Sequence, residues 1–369
     1  MTSLNQTNTS EPKIGKTIVD DISHGGFFAN IKHEFKELRE YMLTVERKDQ
    51  LQKMNRVKRW FFITWWLLKS MFFKLTPTRR ILLLAALIFL VQNSQTAADN
   101  RSYIIGGLIL IFIIMLELKD KLTAKEELEA GHAVQKALMP ERSPKVPGWD
   151  LWLFTRSANE VGGDLLDFQK VTDDRYGFAL GDVAGKGLKA ALLSAKLQAT
   201  LRALADDYPS LRELGIKFNK LFFRDRVPAI FASVVYAEIK PNDGLIRMFN
   251  AGHFQPIIVR SNSIEKMEKG GPALGIVPDA QYDEQKTILA IGDAIIFYSD
   301  GLSEARNQMG EDFGEKRLIS LLPSLIQYSA EQIGERIISE VDRFVGKAKA
   351  HDDLTIAVSK HVGNETQQQ

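Results

Sequence analysis

The sequence LGDVAGKG, at residues 180–187, is the stretch that decides the fold of this chain. It follows an apolar run at 176–180 and precedes a helical pattern at 187–205, so it predicts a strand end followed by a helix start. Asp182 would project a carboxylate from the rigid strand end, and the adjacent glycines let the backbone turn sharply beside it. One such motif alone predicts only a turn, because Gly-Asp is a common turn dipeptide.

Three further acidic turns accompany it: VGGDLLD at 161–167, FYSDG at 297–301 and HDDLT at 351–355. Each lies where a predicted strand begins or ends. Carboxylates gathered from distant parts of a chain form a hard-oxygen site, which magnesium and manganese prefer over the nitrogen and sulfur ligands that zinc usually takes. Together the four motifs predict a divalent-metal site.

The carboxyl-terminal part of the chain contains both strand patterns and helical patterns. Short β-type runs occur at 151–155, 166–171, 176–180, 231–239, 246–250, 257–260, 294–298 and 354–358. Helical patterns occur at 187–205, 210–223, 315–322 and 330–347. Strands interleaved irregularly with helix pairs predict an α+β class rather than an alternating parallel sheet.

Composition narrows the possible functions. The chain has 369 residues, which predicts more than one part. Its formal net charge is +2, so the overall balance gives no indication of nucleic-acid binding. It contains no cysteine, which excludes disulfides, thiolate zinc sites and phosphatase chemistry through a cysteine nucleophile.

The amino-terminal region predicts a disordered start followed by a helical arm. The first residues lack the basic and apolar regions of a secretory signal. Between 28 and 57, apolar residues recur at spacings of three and four, the pattern of an amphipathic helix: Ile31, Phe35, Leu38, Met42 and Val45.

The next segment predicts a membrane region. Residues 60–75 are rich in aromatic side chains and flanked by cations, typical of a helix lying in the membrane interface. The apolar stretches 81–91 and 103–116, joined by 92–101, predict a transmembrane helical hairpin, although each is shorter than the roughly 20 residues of a full span. Cations on both sides then predict an inner-membrane protein with both ends, and with them the carboxyl-terminal domain, in the cytoplasm. The alternative is that these runs are buried helices of a soluble protein.

Residues 117–138 predict a connecting helix. An imperfect apolar stripe runs along it and indicates a partner surface, which predicts a homodimer: Leu118, Leu122, Leu128, Val134 and Leu138. The whole chain is thereby divided into a disordered start and helical arm (1–58), an interfacial helix and hairpin (59–118), a connecting helix (119–140), a catalytic domain (141–362) and a disordered tail (363–369).

The ordered set of acidic motifs resembles the PPM-type metal-dependent serine/threonine protein phosphatases, specifically their bacterial SpoIIE-like branch. The resemblance covers about 128–360 and extends to AVQKALMP at 133–140, NAGH at 250–253 and GEDFG at 310–314. The sequence departs from the family pattern at Leu165-Leu166, where relatives often carry aromatic residues. This difference affects side-chain packing more than metal ligation. The resemblance implies an αββα sandwich with two Mn²⁺ or Mg²⁺ ions in the cleft between the ends of its sheets.

The same resemblance implies roles for individual residues. Asp182 would bridge both ions and be catalytic, and the carbonyl of Val183 would ligate one of them. The remaining ligands would be Asp300 and Asp352 on one ion and Asp164 on the other. Asp167, Asp353 and Gly301 would surround the ligands, where the two carboxylates could hold metal-associated waters.

Two divalent ions depress the pKa of a shared water, so that hydroxide can attack phosphorus in line without a covalent phosphoenzyme. The implied substrate is phosphoserine or phosphothreonine on a regulatory protein, an anti-sigma-factor antagonist in this family.

Three basic side chains beside the motifs allow two interpretations each. His351 could donate a proton to the leaving oxygen, or donate a hydrogen bond to a ligand. Lys186 could bind phosphate as a point charge, or stay solvated at a helix start. His253 could serve the site, or stabilise a turn.

Two other functions compete with a phosphatase. The chain could be a catalytically silent membrane receptor or scaffold whose sandwich binds a partner, or a metal-binding hydrolase of unrelated fold. Intact aspartates at all four motifs argue against the first, and metal-dependent phosphate release would separate all three.

Overall fold

A computed structural model describes residues 54–91, 101–225 and 227–363, together with Leu43, Arg47, Gln50 and Leu51. The chain divides into two units, Met1–Lys121 and Leu122–Gln369. The predicted helical arm, the tip of the hairpin and the carboxyl-terminal tail lie wholly or mostly outside the described residues.

The first unit contains helix α1 (Arg56–Lys74), helix α2 (Pro77–Val91) and the beginning of helix α3 (Arg101–Leu138). Arg79 of α2 joins α3 through ion pairs of 2.6 Å with Glu117 and 2.7 Å with Asp120. The same helices leave many large apolar side chains exposed.

The predicted transmembrane hairpin is not found among the described residues. Within the described part of the chain, no helix is long and apolar enough to cross a bilayer. Helix α2 has 15 residues, about 22 Å at 1.5 Å per residue, against a hydrocarbon core of about 30 Å. The apolar run of α3 gives way to Glu117, Lys119 and Asp120. The predicted inner-membrane location is therefore also wrong.

Helix α3 is continuous where two elements were expected. The predicted second arm of the hairpin and the connecting helix are one helix of 38 residues. The change from apolar to charged sequence at 116–117 does not end it, because glutamate, lysine and leucine are all good helix formers. The predicted segment boundaries stay predictions.

The second unit is built on two five-stranded antiparallel sheets. The first has the order β1-β10-β9-β6-β7, and the second β2-β3-β4-β5-β8. In chain order the strands are β1 (Trp149–Arg156), β2 (Leu165–Thr172), β3 (Arg175–Val183), β4 (Ala232–Ile239), β5 (Leu245–Ala251), β6 (Ile257–Val259), β7 (Ile264–Lys266), β8 (Gln285–Ile288), β9 (Ala294–Tyr298) and β10 (Leu354–His361).

Helices cover the outer face of each sheet. Helices α4 (Leu188–Leu204) and α5 (Leu211–Arg224) pack on the second sheet, and α7 (Glu315–Leu325) and α8 (Ala330–Val345) pack on the first. A single helical turn, α6 (Asp300–Ser303), follows β9. The layers are therefore helices, sheet, sheet and helices, and the predicted α+β two-sheet architecture is confirmed.

The alternation of side chains along β3 decides what reaches the space between the sheets. Leu180 belongs to the apolar core between the sheets, whereas Ala179 and Val183 pack against the helices. Because side chains alternate with a period of two, Asp182 lies on the same face as Leu180. The carboxylate of Asp182 therefore stands at the end of the layer between the sheets.

All eight predicted strands and all four predicted helices of this unit are present, with boundaries shifted by a few residues. Two short edge strands, β7 and β8, and the one-turn helix α6 were not predicted.

Candidate active site

The Gly-Gly-Asp turn lies against the end of β3. A Cβ atom added to Gly163 would lie 3.3 Å from the carbonyl oxygen of Val183 and 3.5 Å from Oδ1 of Asp182. A side chain at position 163 would be crowded by these atoms, and glycine avoids that crowding. The first two motifs therefore meet, with the carbonyl and carboxylate of β3 facing the turn that carries Asp164.

Asp353 holds this turn in place. Its carboxylate accepts hydrogen bonds from the backbone N–H groups of Ala158, at 2.7 Å, and Gly163, at 2.6 Å. A Cβ on Gly162 would lie 2.7 Å from the same carboxylate. The fourth motif is thus joined to the first, 190 residues away in sequence, through backbone hydrogen bonds.

Asp164 is directed into the protein. Its side chain is 4 % exposed and accepts a hydrogen bond from the hydroxyl of Thr355. Burial raises the pKa of Asp164 well above its ordinary value, against the lowering by the Thr355 hydrogen bond, and the charge of Asp182 raises it further. In this structure the Asp164 carboxyl group is therefore bound to strand β10 through the Thr355 hydroxyl.

The Ser-Asp-Gly turn joins the same cluster. Asp300 is the first residue of α6, and a Cβ on Gly301 would lie 1.9 Å from the carbonyl oxygen of Asp353. Burial, followed by the charge of Asp352, raises the pKa of Asp300. The third motif therefore packs on the fourth with no space for a side chain at Gly301.

Asp352 is a half-exposed predicted ligand. Its side chain is 43 % exposed and pairs with Lys186 Nζ at 3.0 Å. Lys186 Nζ also donates to the backbone carbonyl of His351, at 2.7 Å, and the His351 residue itself is exposed. The lysine of the GDVAGKG loop is therefore fixed at the rim of the cluster rather than merely solvated.

Asp182 is at the electrostatic centre. Burial raises its pKa to about 7, and the charges of Asp300, Asp352 and Asp353 add to this. A carboxylate needs nearby positive charge to stay ionised in such surroundings.

Asp167 is not part of this cluster. It lies on the outer face of β2, where the side chains of Gln198 and Arg202 on α4 donate to it. Leu165, on the same face, packs against the helices. The structure therefore brings together Asp164, Asp182, Val183, Asp300, Gly301, Asp352 and Asp353, and places Asp167 on the opposite side of the second sheet.

The donor set fits a divalent cation, although its arrangement is not that of a loaded site. Among the described residues, no three acidic or histidine side chains are grouped closely enough to hold an ion as they stand. Three of the carboxylates are engaged elsewhere: Asp164 by Thr355, Asp352 by Lys186 and Asp353 by backbone amides. The crowding of like charges around Asp182 and the purely oxygen donors nevertheless match what Mg²⁺ or Mn²⁺ requires.

His253 belongs to a turn beneath the site. Asn250 Oδ1 accepts from the backbone N–H of His253 at 2.8 Å, and the intervening Gly252 has a positive φ of 74°. The buried imidazole hydrogen-bonds Ser233 through Nδ1, at 2.8 Å, and Ser233 is paired with Asp182 across β3 and β4. In the structure this histidine is part of the turn, and Asn250 supplies the hydrogen bonds that close it.

We expect His253 to make stability depend on pH. Burial lowers its pKa to about 4, so the folded state keeps it neutral while the unfolded chain takes up a proton near pH 6.5. The stability it contributes is complete above about pH 6.5 and is lost as pH falls toward 4, by about 2–4 kcal/mol. Urea unfolding at pH 7, 5.5 and 4.5 should show a smaller loss in His253→Asn than in the unmodified chain.

The matched control is His132→Asn, which removes an exposed histidine and should follow the unmodified chain. Parallel curves for His253→Asn and the unmodified chain would contradict the expectation.

Two residues of the site were not predicted. Thr355, within the quoted Asp-Asp-x-Thr motif, binds Asp164 and lies 2.8 Å from the hydroxyl of Thr155. Gln135 of α3 donates to the carbonyl of Gly162 at 2.8 Å and accepts from its N–H at 3.1 Å. The threonine was visible in its motif, whereas nothing in a helical pattern marks a glutamine that contacts a distant turn.

Comparison with known proteins agrees with this geometry. The family model described as stage II sporulation protein E (SpoIIE) matches residues 172–362, more than half of the chain. Protein IcfG of Synechocystis sp. is 26 % identical over 273 residues, covering 66 % of this chain and 43 % of IcfG. Phosphoserine phosphatase RsbU of Bacillus subtilis is 25 % identical over 237 residues, covering 63 % of this chain and 70 % of RsbU.

Solved structures share the fold. The SiaA-PP2C domain of Pseudomonas aeruginosa superposes with a TM-score of 0.56 at 18 % identity, covering 65 % of this chain and 98 % of that domain. The PP2C phosphatase domain of SpoIIE from Bacillus subtilis, with a fragment of its regulatory domain, gives 0.51 at 20 % identity, covering 61 % and 66 %.

Proposed function

This chain belongs to the SpoIIE family of PPM-type phosphatases, and we propose that its second unit hydrolyses phosphoserine or phosphothreonine on a regulatory protein. The observation that carries the proposal is the meeting of four distant acidic motifs around Asp182, whose pKa is raised to about 7 by burial and by three neighbouring carboxylates. Crowded carboxylates at the end of a core must be balanced by protonation or by a bound cation, and a group with a pKa near 7 can exchange its proton for a cation at neutral pH.

The residues that would hold divalent cations are Asp164, Asp182, Asp300 and Asp352, with the carbonyl oxygen of Val183. When bound, Mn²⁺ or Mg²⁺ supplies water activation near neutral pH and neutralises charge on the phosphoryl oxygens. The side chains that now engage Asp164 and Asp352 would exchange those contacts on loading.

The remaining polar residues would orient the substrate. Lys186 stands at the rim beside Asp352, where its ammonium could bind a phosphoryl oxygen once Asp352 turns to a cation. His351 is exposed on the same rim and could give a proton to the leaving serine or threonine oxygen. The absence of cysteine from the chain agrees with direct attack by water.

The proposed substrate is a phosphorylated anti-sigma-factor antagonist. The family membership supports a sigma-factor regulatory role, and the relative RsbU is named a phosphoserine phosphatase. The chain spans less than half of IcfG, so the activity and partner of this chain rest on its own site and on the experiment that follows.

The direct test is phosphate release by the full chain from a phosphoserine peptide and from a phosphorylated antagonist protein. We expect activity with Mn²⁺ or Mg²⁺ and none with excess EDTA. Robust release in EDTA would contradict the metal requirement. No release under any condition, with peptide binding retained, would favour a catalytically silent receptor or scaffold.

We also propose that the carboxyl-terminal part of α3 pairs with a second copy of the chain and influences the site. Val134 is 63 % exposed and Leu138, one turn further along the helix, is 38 % exposed, so a small apolar patch lies open at this end of α3. Through Gln135, the same helix contacts Gly162 in the turn that carries Asp164. A shift of the helix would be transmitted to that turn.

We expect Val134→Asp and Leu128→Asp to weaken dimerisation and to change turnover, because a buried charge at a helix pair is costly. Sedimentation velocity and turnover at saturating Mn²⁺ would measure both effects, with at least about a threefold change in turnover as the criterion. Ala133→Asp places the same charge on a neighbouring exposed position and serves as the control. Unchanged association and turnover in both test variants would leave α3 as a passive spacer.

A further inference from the structure

A pocket of about 90 Å³ opens beside the acidic cluster, on the side of the first sheet. It reaches Gly301 and Asp352, so it is continuous with the candidate active site. Its floor is apolar, formed by Val341 of α8 and Leu354 of β10, both buried. We call it the basic pocket, because three of its walls carry Arg156, Arg306 and Lys349.

Two of these cations are held in fixed positions. Arg156, at the end of β1, donates through both terminal nitrogens to Asp342 of α8, at 3.1 and 2.6 Å. Arg306 donates through Nε to Asp312 at 2.8 Å, and its terminal nitrogens have no acceptor among the described residues. A guanidinium fixed through one edge presents its remaining N–H groups to a ligand at little entropic cost.

The third cation is unpaired. Lys349 lies in the exposed segment between α8 and β10, and within the described part of the chain it has no ion-pair or hydrogen-bond partner. A lysine without a partner at the mouth of a pocket can meet an incoming anion without first breaking an ion pair.

The charges of the pocket do not cancel. Its two lining carboxylates are Asp342, already paired with Arg156, and Asp352, paired with Lys186 and proposed as a cation ligand. Arg306 is likewise paired, with Asp312, so its free edge offers hydrogen-bond donors while Lys349 supplies the positive charge that no carboxylate among the described residues balances. Its small volume and apolar floor suit the stem and carboxylate of one acidic side chain better than a second phosphate.

We propose that the basic pocket binds an aspartate or glutamate side chain of the phosphoprotein substrate, close in sequence to the phosphorylated residue. The inference rests on the proposed phosphatase function, since it gives that site a preference for acidic sequence around the phosphoserine. Electrostatic complementarity of this kind contributes to specificity and to association rate.

The test compares two phosphoserine peptides, one with glutamates on both sides of the phosphoserine and one with glutamines in their place. With the full chain and Mn²⁺, Lys349→Glu should lower kcat/KM for the acidic peptide about tenfold, mainly through KM. The change for the glutamine peptide should stay within about twofold, and hydrolysis of p-nitrophenyl phosphate should not change, because neither substrate offers a carboxylate to the pocket. Arg306→Ala should act in the same direction with a smaller effect.

The control is Lys316→Glu, which makes the same charge reversal at an exposed position on α7. Equal effects of Lys349→Glu and Lys316→Glu would indicate long-range charge alone and would overturn the proposal. So would equal losses for the two peptides.

A binding measurement separates this inference from the proposed function. Fluorescence anisotropy of the labelled peptides in EDTA reports binding without turnover. If neither peptide is hydrolysed but the acidic one binds better through Lys349, the pocket stands and the phosphatase proposal falls. If both are hydrolysed and bind equally to the unmodified chain, the phosphatase stands and the pocket proposal falls.

Discussion

Asp182→Asn is expected to abolish metal-dependent phosphate release while leaving the chain folded. The substitution keeps the shape of the side chain but removes the charge at the centre of four motifs. Loss of an electrostatic group that acts on the reacting centre costs about 10³-fold or more in turnover. Phosphate release from a phosphoserine peptide at saturating Mn²⁺, with circular dichroism as the check on folding, measures the effect.

The same variant should be at least as stable as the unmodified chain when EDTA is present. Burial, with the charges of Asp300 and Asp352, raises the pKa of Asp182 to about 7, whereas the unfolded chain ionises near 3.8. An acid with a raised pKa loses stability as pH rises from about 4 to 7, so at pH 8 the ionised group is a net cost. After discounting for its partial exposure we expect a gain of about 1–2 kcal/mol in Asp182→Asn.

Asp300→Asn should lose activity in the same way, and Lys316→Glu, at an exposed position on α7, should keep it. Substantial turnover in either aspartate variant with an unchanged circular dichroism spectrum would contradict the assignment of the site. Lower stability of Asp182→Asn in EDTA at pH 8 would contradict the electrostatic account of the cluster.

The layered fold was predictable because its strands and helices carry strong local patterns. The buried strands β3, β4 and β9 are nearly continuous apolar runs, and α8 has a clear apolar face. The missed strands β7 and β8 have three and four residues with no buried position. An edge strand this short is defined by its pairing partner rather than by its own sequence.

The position of the site was also predictable, whereas the orientation of its side chains was not. Aspartates at strand ends were expected to meet; the turns that carry them lie together, although among the described residues no three acidic or histidine side chains are close enough to hold a metal ion. The family resemblance places Asp167 near the metal ligands. The period of two along β2 instead puts Asp167 with Leu165 on the face that packs against the helices, away from the other aspartates. The contacts of Asp353 with backbone amides 190 residues away have no local signal.

The membrane prediction failed for a different reason. Apolar composition alone does not distinguish a span from a helix that is too short or too interrupted by charge. Helix α2 has only 15 residues, and α3 has a charged second half. The sequence did not predict that α3 is continuous, because its composition changes from apolar to charged at 116–117. No residue there ends a helix.

Asp353→Ala is expected to lose both stability and activity, because Asp353 holds the turn that positions Asp164. Its removal leaves the N–H groups of Ala158 and Gly163 without their acceptor. The Asp353 side chain is buried, so the loss should be about 3–5 kcal/mol in the free energy of unfolding. Urea unfolding in EDTA measures this without any contribution from metal binding.

Asp352→Asn is the matched control, since Asp352 is adjacent in sequence yet half-exposed, with Lys186 at 3.0 Å and the backbone N–H of Asp353 at 3.1 Å as its partners. It should unfold within about 1 kcal/mol of the unmodified chain while losing activity, as expected for a cation ligand. Asp353→Asn should fall between the two, because one amide oxygen can still accept while the NH₂ group opposes the second N–H. If Asp353→Ala loses activity but unfolds like the unmodified chain, Asp353 acts on the cations and not on the turn. If it loses stability while turnover of the folded fraction is unchanged, the turn does not position Asp164, and the path from Gln135 through Gly162 to the site would have no catalytic consequence.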